Sequence, residues 1–242
     1  MSEVLFTITK DHLETGLRGF PVGYCITSSV DPSLGLYYAG YPIKELAHKE
    51  PEEIIYLLFN RELPNNEQLS NFKKQLIEHS NLDKRVIESL KTLPKEGHPM
   101  KWLIHGLNIM GMVSCTKDYR KDAINVVAQL PELVAAIYRI RSGLGEPIKS
   151  QPELGYMENF VNMLGLENAN PNLLKVMKVF NVLHYDHEGG NLSTFVGKAV
   201  ASGLADMYDS LLSAMAALAG PFTWYGKSRM FKILKRSIIR SK

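Results

Sequence analysis

The chain has 242 residues, 45% of them hydrophobic and 22% charged, the balance of a globular protein able to bury a sizeable core. Its two cysteines, Cys25 and Cys115, lie far apart, which excludes a disulfide framework and paired zinc spacing and fits a reducing cytoplasm. The net charge of +3 is uneven: all 25 acidic and 21 of the 28 basic residues precede residue 222, so residues 1–221 carry −4 and the last 21 residues +7. A shift that sharp marks a boundary, and one helical domain over 1–221 with a basic tail over 222–242 is expected.

The opening stretch, Met1 to His12, has no basic segment leading into an apolar run. Neither a signal peptide nor a membrane span is expected. Residues 16–40 are rich in Gly, Val, Tyr and Ser, with turn signals at Asp31-Pro32 and Gly35. Short antiparallel strands are expected around Val22–Thr27 and Gly35–Tyr38. Helical patterns dominate from Pro42 onward. Pro42 begins a short helix, and Glu52–Phe59 forms a second. Pro64-Asn65-Asn66-Glu67 caps a helix running to about His79. Leu82–Leu90 is another, ending before Pro94. The fold class is all-α: mainly helical, with a small antiparallel β piece near residues 22–40.

His98-Pro99 opens a helix through Met112, with Leu103, Leu107 and Met110 as its apolar stripe. His98 itself reads as a surface or capping histidine. Lys121 to Arg141 makes a long helix that Pro131 should kink or divide. Arg139 and Arg141 are expected to serve surface pairing. Gly143–Pro152 is a loop, Leu154–Leu164 a helix, and Asn172 to about Leu183 a further helix that delivers two histidines, His184 and His187.

The segment from Asn181 to Thr223 is the most informative. After His184 and His187 come Glu188, the Gly189-Gly190 break and the capping residues Asn191, Ser193 and Thr194. A helix should begin there, with unpaired N–H groups and the positive end of its dipole. An imidazole beside such a terminus suits a carboxylate or a polarised carbonyl. The apolar positions Val196, Val200, Leu204, Met207, Leu211, Met215 and Leu218 are spaced 4, 4, 3, 4, 4, 3. They predict one continuous helix ending at Gly220-Pro221, buried on several sides in a core or a subunit interface. Asp206 and Asp209 argue against a bilayer span. Three readings of the histidines stand: hydrogen-bonded packing residues, metal ligands with Asp186 or Glu188, or a site for a substrate carboxylate or carbonyl. The metal reading lacks a third ligand at helical spacing.

The run LHYDHEGGNLSTFVGKAVASGLADMYDSLLSAMAALAGP resembles the central signature of the citrate synthases, which condense acetyl-CoA with oxaloacetate. The resemblance extends upstream through GLRGFPVG (Gly16–Gly23), GYPIKEL (Gly40–Leu46), YLLFNRELP (Tyr56–Pro64), LPKEGHPM (Leu93–Met100) and LPELVAAIYR (Leu130–Arg139). These motifs keep the family's order and spacing from about Leu13 to Pro221, which makes them far more specific than any one alone. The resemblance implies part of a citrate synthase large domain. It implies acetyl-CoA, oxaloacetate and water giving citrate and CoA, the entry step of the tricarboxylic acid cycle. It also implies a homodimer with helices of this region packed across the two-fold axis, and a cytoplasmic setting. No cofactor is implied, since acetyl-CoA is a substrate, nor any metal, nucleic acid or membrane partner. The family's oxaloacetate-contacting histidine and asparagine map onto His187 and Asn191; His184 and Ser193 match supporting positions. 2-Methylcitrate synthases, which use propionyl-CoA, share these motifs.

The resemblance stops after Gly220-Pro221. There the family continues Leu-His-Gly, and that histidine stabilises the enol of acetyl-CoA; here Thr223 stands in its place. The aspartate base, a second histidine and the arginines that clamp oxaloacetate fall in the family's later part, without a counterpart in these 242 residues. The polypeptide as written is therefore expected to be catalytically inactive. The alternative is a non-catalytic helical interaction or dimerisation protein with a basic tail for membrane surfaces or nucleic acid.

The genetic code offers an account of the tail. Phe222 to Phe231 encoded as TTT ACA TGG TAT GGC AAA TCA AGA ATG TTT reads, with one T removed, Leu-His-Gly-Met-Ala-Asn-Gln-Glu-Cys. The family motif returns, and the single codons of Trp224 and Met230 both fit. The tail is thus expected to be a frameshifted reading. Nucleotide sequencing across codon 222 tests this: one extra base is expected, and an uninterrupted frame refutes the frameshift.

Overall fold

The computed structural model describes residues 3, 4, 6–14 and 23–220. The boundary at 222, the tail, Thr223 and most of the Gly16–Gly23 motif lie outside the described residues. After a 3-10 turn at Lys10–Glu14, three short strands form an antiparallel sheet in the order β1 (Ser28–Asp31), β2 (Gly35–Tyr38), β3 (Tyr41–Pro42). The second strand falls where the sequence puts it. The first lies after Thr27, because Asp31 accepts the N–H groups of Ser33 and Leu34 and sets the turn that fixes the register, Asp31 facing Gly35.

Ten helices follow among the described residues: α1 (Ile43–Leu46), α2 (Pro51–Asn60), α3 (Asn66–Glu78), α4 (Lys84–Lys91), α5 (Pro99–Ser114), α6 (Tyr119–Ser142), α7 (Tyr156–Leu164), α8 (Leu173–Leu183), α9 (Leu192–Ser202) and α10 (Met207–Leu218). The chain is mainly helical with a small sheet, as expected. The caps are those the sequence supplies. Asn65 and Gln68 form a reciprocal capping box at α3. His98 caps α5 by accepting the N–H of Met100, with Pro99 as first residue.

α6 is the central helix. One side joins Val126, Leu133, Ala136 and Ile137 to Trp102, Leu107 and Met110 of α5, Val86 and Leu90 of α4, and Tyr208 of α10. Another side puts Ala128 against Ile55, Phe72 and Leu76 of α2 and α3. Its length and composition would allow it to cross a bilayer. Its buried Asp122, Asn125, Gln129 and Glu132 and its packed neighbours make it a core helix. A Cβ on Gly106 would come within 2.6 Å of Leu133, so the α5–α6 contact depends on that glycine.

Pro131 does not divide α6, which runs unbroken for 24 residues. The missing N–H should orphan the carbonyl four residues earlier, that of Val127. The Tyr156 hydroxyl, on α7, donates to that oxygen at 2.8 Å. Burial, with the charge of Glu52, keeps this phenol protonated well above its usual range. Arg139 and Arg141, expected at surface ion pairs, instead donate to backbone carbonyls: Arg139 to Leu144 and Glu146, Arg141 to Gly97.

The long C-terminal helix is two helices. The chain turns at Leu204, which has a left-handed φ of 62° and is 95% exposed, although the periodicity placed it on the buried stripe. Asp206 explains the break: its side chain accepts the N–H of Asp209 and starts α10 afresh. The small residues serve the pairing of these two helices, since a Cβ on Gly197 would sit 3.2 Å from that of Ala214. Within one chain these helices are not buried on several sides: α9 has no buried residue and α10 only Tyr208.

Two stability effects follow. Tyr156→Phe should lower unfolding stability by about 1 kcal/mol in urea titration, by leaving the Val127 carbonyl unpaired. Burial pushes the Glu132 carboxyl up, against the Leu82 N–H it accepts and the charge of Lys149. A carboxyl raised in the folded state holds more protons there than in the unfolded chain, so its contribution to stability falls as pH rises from the usual carboxylate value through the raised one. Urea unfolding across that window should show the decline, and Glu132→Gln should flatten it.

Candidate functional site

The segment that turns α8 into α9 is fastened to the sheet at three levels. Tyr38, fully buried on β2, donates its hydroxyl proton to the carbonyl of Val182 at 2.9 Å. Asp186 accepts the Thr27 hydroxyl at 2.5 Å, and Glu188 accepts the N–H of Val30 at 2.7 Å. The Glu188 N–H donates in turn to the Ser28 hydroxyl at 2.7 Å. Glu188 adopts a left-handed φ of 73°, a conformation costly for a residue with a Cβ. The bonds to both of its ends offset that cost.

With Asp186 and Glu188 held by the sheet, the two histidines remain at the surface. His184 stacks on Phe180 at 4.2 Å between ring centroids, and its Nδ1 lies 2.7 Å from the Phe180 carbonyl. A carbonyl only accepts, so Nδ1 carries the proton and Nε2 is the ring nitrogen left to accept. His187 is exposed; its backbone N–H donates to Asp186 at 2.8 Å. It sits at the turn's apex, four residues before Asn191.

Asn191 caps α9 as its sequence position requires. Its Oδ1 accepts the N–H of Thr194 at 2.9 Å and the hydroxyls of Ser193 at 2.5 Å and Thr194 at 3.0 Å. Three donors saturate that oxygen, leaving the amide NH2, 3.5 Å from the Glu188 carbonyl, as the side chain's donor to any ligand. Ser193 is turned onto the cap and acts through it. Thus His184, His187, Asn191 and Ser193 fall in one surface turn at a helix N-terminus, chemically suited to an anionic or carbonyl-bearing ligand. Among the described residues no group of three or more His, Cys, Asp or Glu is placed to hold a metal.

Sequence reasoning missed the residues that hold this turn. A side chain on Gly189 would meet the Lys198 ammonium at 3.1 Å and Cys25 at 3.5 Å, and Lys198 also donates to the Tyr24 carbonyl at 3.0 Å. Burial would raise the Cys25 thiol, but hydrogen bonds with Thr27 and Ser28 outweigh it and bring the thiol below its usual value. Thr27, Ser28, Tyr38 and Lys198 carry no local signal for these roles, because their partners lie some 150 residues or more away in the chain.

The comparisons with known proteins agree on one family. The family model described as "Citrate synthase, C-terminal domain" matches residues 16–237, past Pro221 into the tail. "Citrate synthase 2" of Bacillus subtilis is 35% identical over 231 residues, which cover 91% of this chain and 61% of that protein. The crystal structure of citrate synthase from Thermotoga maritima superposes with a TM-score of 0.79 at 29% identity, over 92% of this chain and 60% of that one. A ternary complex of carboxymethyl coenzyme A and oxaloacetate with the citrate synthase of the archaeon Thermoplasma acidophilum gives a TM-score of 0.78 over 86% of this chain and 56% of that one. At 24% identity the latter is a likeness of fold alone. The chain thus spans about three fifths of the length of these relatives.

Asn191→Ala tests the cap. It should cost about 1–2 kcal/mol of local stability, read as faster amide hydrogen exchange in α9 with exchange in α5 and α6 unchanged.

Proposed function

The chain belongs to the citrate synthase family, and we propose on that premise that the turn between α8 and α9 is the oxaloacetate-recognising part of a citrate synthase site. The observation that carries this is that an exposed His187 lies four residues before Asn191, the cap of α9, whose Oδ1 is taken up by Thr194 and whose NH2 group remains as donor. His187 would donate to the keto oxygen and polarise the carbonyl for attack. The Asn191 NH2 and the helix terminus would face a carboxylate. His184 and Ser193 support the pair, one through the ring pinned on Phe180 and the other through the cap. The full reaction of this reading is acetyl-CoA, oxaloacetate and water to citrate and CoA. The family match and the Bacillus subtilis relative named citrate synthase 2 support that choice of reaction.

The proposal extends to assembly and location. α9 exposes apolar side chains, Leu192 at 47% among them, and has no buried residue. That face favours a homodimer in which a second copy covers α9. The free thiols Cys25 and Cys115 favour the cytoplasm.

Binding and turnover separate in this reading. The recognising turn is present, whereas Thr223 stands where the family's enol-stabilising histidine is expected. Loss of one such donor costs about 3–4 kcal/mol of transition-state stabilisation. Calorimetry on the 242-residue polypeptide should detect oxaloacetate binding that His187→Ala weakens by about tenfold or more. A thiol-detection assay with acetyl-CoA and oxaloacetate should show no CoA release. Binding indifferent to His187 refutes the site assignment, and oxaloacetate-dependent CoA release refutes the predicted inactivity.

A further inference from the structure

A second cavity, of about 210 Å³, lies between α2, α3, α6 and α7. None of His184, His187, Asn191 or Ser193 lines it. Its walls include Glu52 of α2, Lys73 and Leu76 of α3, Glu132 of α6 and Tyr156 of α7, with the exposed Glu153 at its rim. Glu52 is only 3% exposed. Its Oε1 accepts the N–H of Tyr156 at 3.1 Å, while its Oε2 has no hydrogen-bond partner. The nearest cation is Lys73, whose Nζ stands 3.9 Å from Oε1, beyond hydrogen-bond range. Glu132 brings a second buried carboxylate, one oxygen of which accepts the Leu82 N–H at 3.1 Å.

A buried carboxylate demands donors or a counter-charge, and an oxygen left without either is costly. The donors already present are spent elsewhere. The Tyr156 hydroxyl serves the Val127 carbonyl, and the Asn159 amide serves Ser150 and Gln151. Lys73 is half-exposed and meets the Glu52 carboxylate only as a long ion pair, at 3.9 Å from Oε1, without donating a hydrogen bond to it. The space in front of Glu52 is therefore acidic, rich in acceptors and short of donors. Its volume is below the roughly 300–1,000 Å³ of drug-sized sites, so it suits a small molecule.

We propose that this cavity is a binding site for a small organic ammonium compound, whose NH3+ group donates to the Glu52 carboxylate in place of the long ion pair with Lys73. An anion is excluded by Glu52 and Glu132. A bare metal ion lacks its ligands, since no cluster of three is placed for it among the described residues. Lys73 is an internal competitor for the same carboxylate, so its removal strengthens binding. A residue of merely structural importance would not behave this way.

The test uses the full 242-residue chain with ethanolamine as probe, followed by titration calorimetry and thermal melting. Ethylene glycol serves as the neutral control and tetramethylammonium as a cation without N–H donors. Ethanolamine should bind saturably and raise the melting temperature, and neither control should. Glu52→Gln keeps the acceptor for the Tyr156 N–H and should weaken binding by about tenfold or more. Lys73→Met should tighten it by about threefold or more. Absence of saturable ethanolamine binding overturns the proposal. So does an equal response to the three compounds, or a Lys73→Met variant with unchanged or weaker affinity. The last variant keeps the question decidable if Glu52→Gln does not fold. Oxaloacetate titration in parallel keeps this outcome distinct from that of the His187 site.

Discussion

The hold of a three-stranded sheet on a turn some 150 residues later is the constraint on which the candidate site depends. Asp186 and Glu188 look in sequence like ligands or catalysts. In the structure their carboxylates take the Thr27 hydroxyl and the Val30 N–H. That arrangement leaves two exposed imidazoles beside a capped helix, with both acids engaged by the residues of the sheet and its approach. The strained backbone of Glu188 is tolerable only because both ends of the residue are tied to β1.

A similar division of labour runs through the helical body. α6 packs on both sides and carries a proline and several buried polar residues through the middle of the protein. Two of these irregularities are met by neighbours. Tyr156 serves the carbonyl that Pro131 orphans, and Glu132 serves the Leu82 N–H in the α3–α4 connection. Where the neighbour falls short, at Glu52, a cavity remains.

Most helices were legible because their signals are local. Asn65 with Gln68, His98 with Met100, and Asn191 with Thr194 are caps whose partners lie within three residues. The identity of β2 was legible for the same reason. Pro131 misled because the rule that a proline breaks a helix says nothing of a distant tyrosine able to repair it. The stripe from Val196 to Leu218 misled because helical period alone cannot separate one helix from two packed as a hairpin; Asp206, three residues before Asp209, was the overlooked sign. The candidate site was half legible. Its histidines and cap announce themselves in sequence, whereas Thr27, Ser28 and Tyr38 acquire their roles only through long-range contacts.

The separation between sheet and turn also bears on how the protein comes into being. A growing chain releases β1 and β2 early, long before residues 182–191 leave the ribosome. Until then the Tyr38 hydroxyl and the Thr27 side chain lack the partners they have in the folded chain, Val182 and Asp186. Bringing the two ends together closes a loop of about 160 residues, an entropic toll met only after the helices between them have compacted. The α8–α9 turn is then a late-maturing element, and a nascent chain stalled before Asn191 would hold much of its helical body without the cap that starts α9.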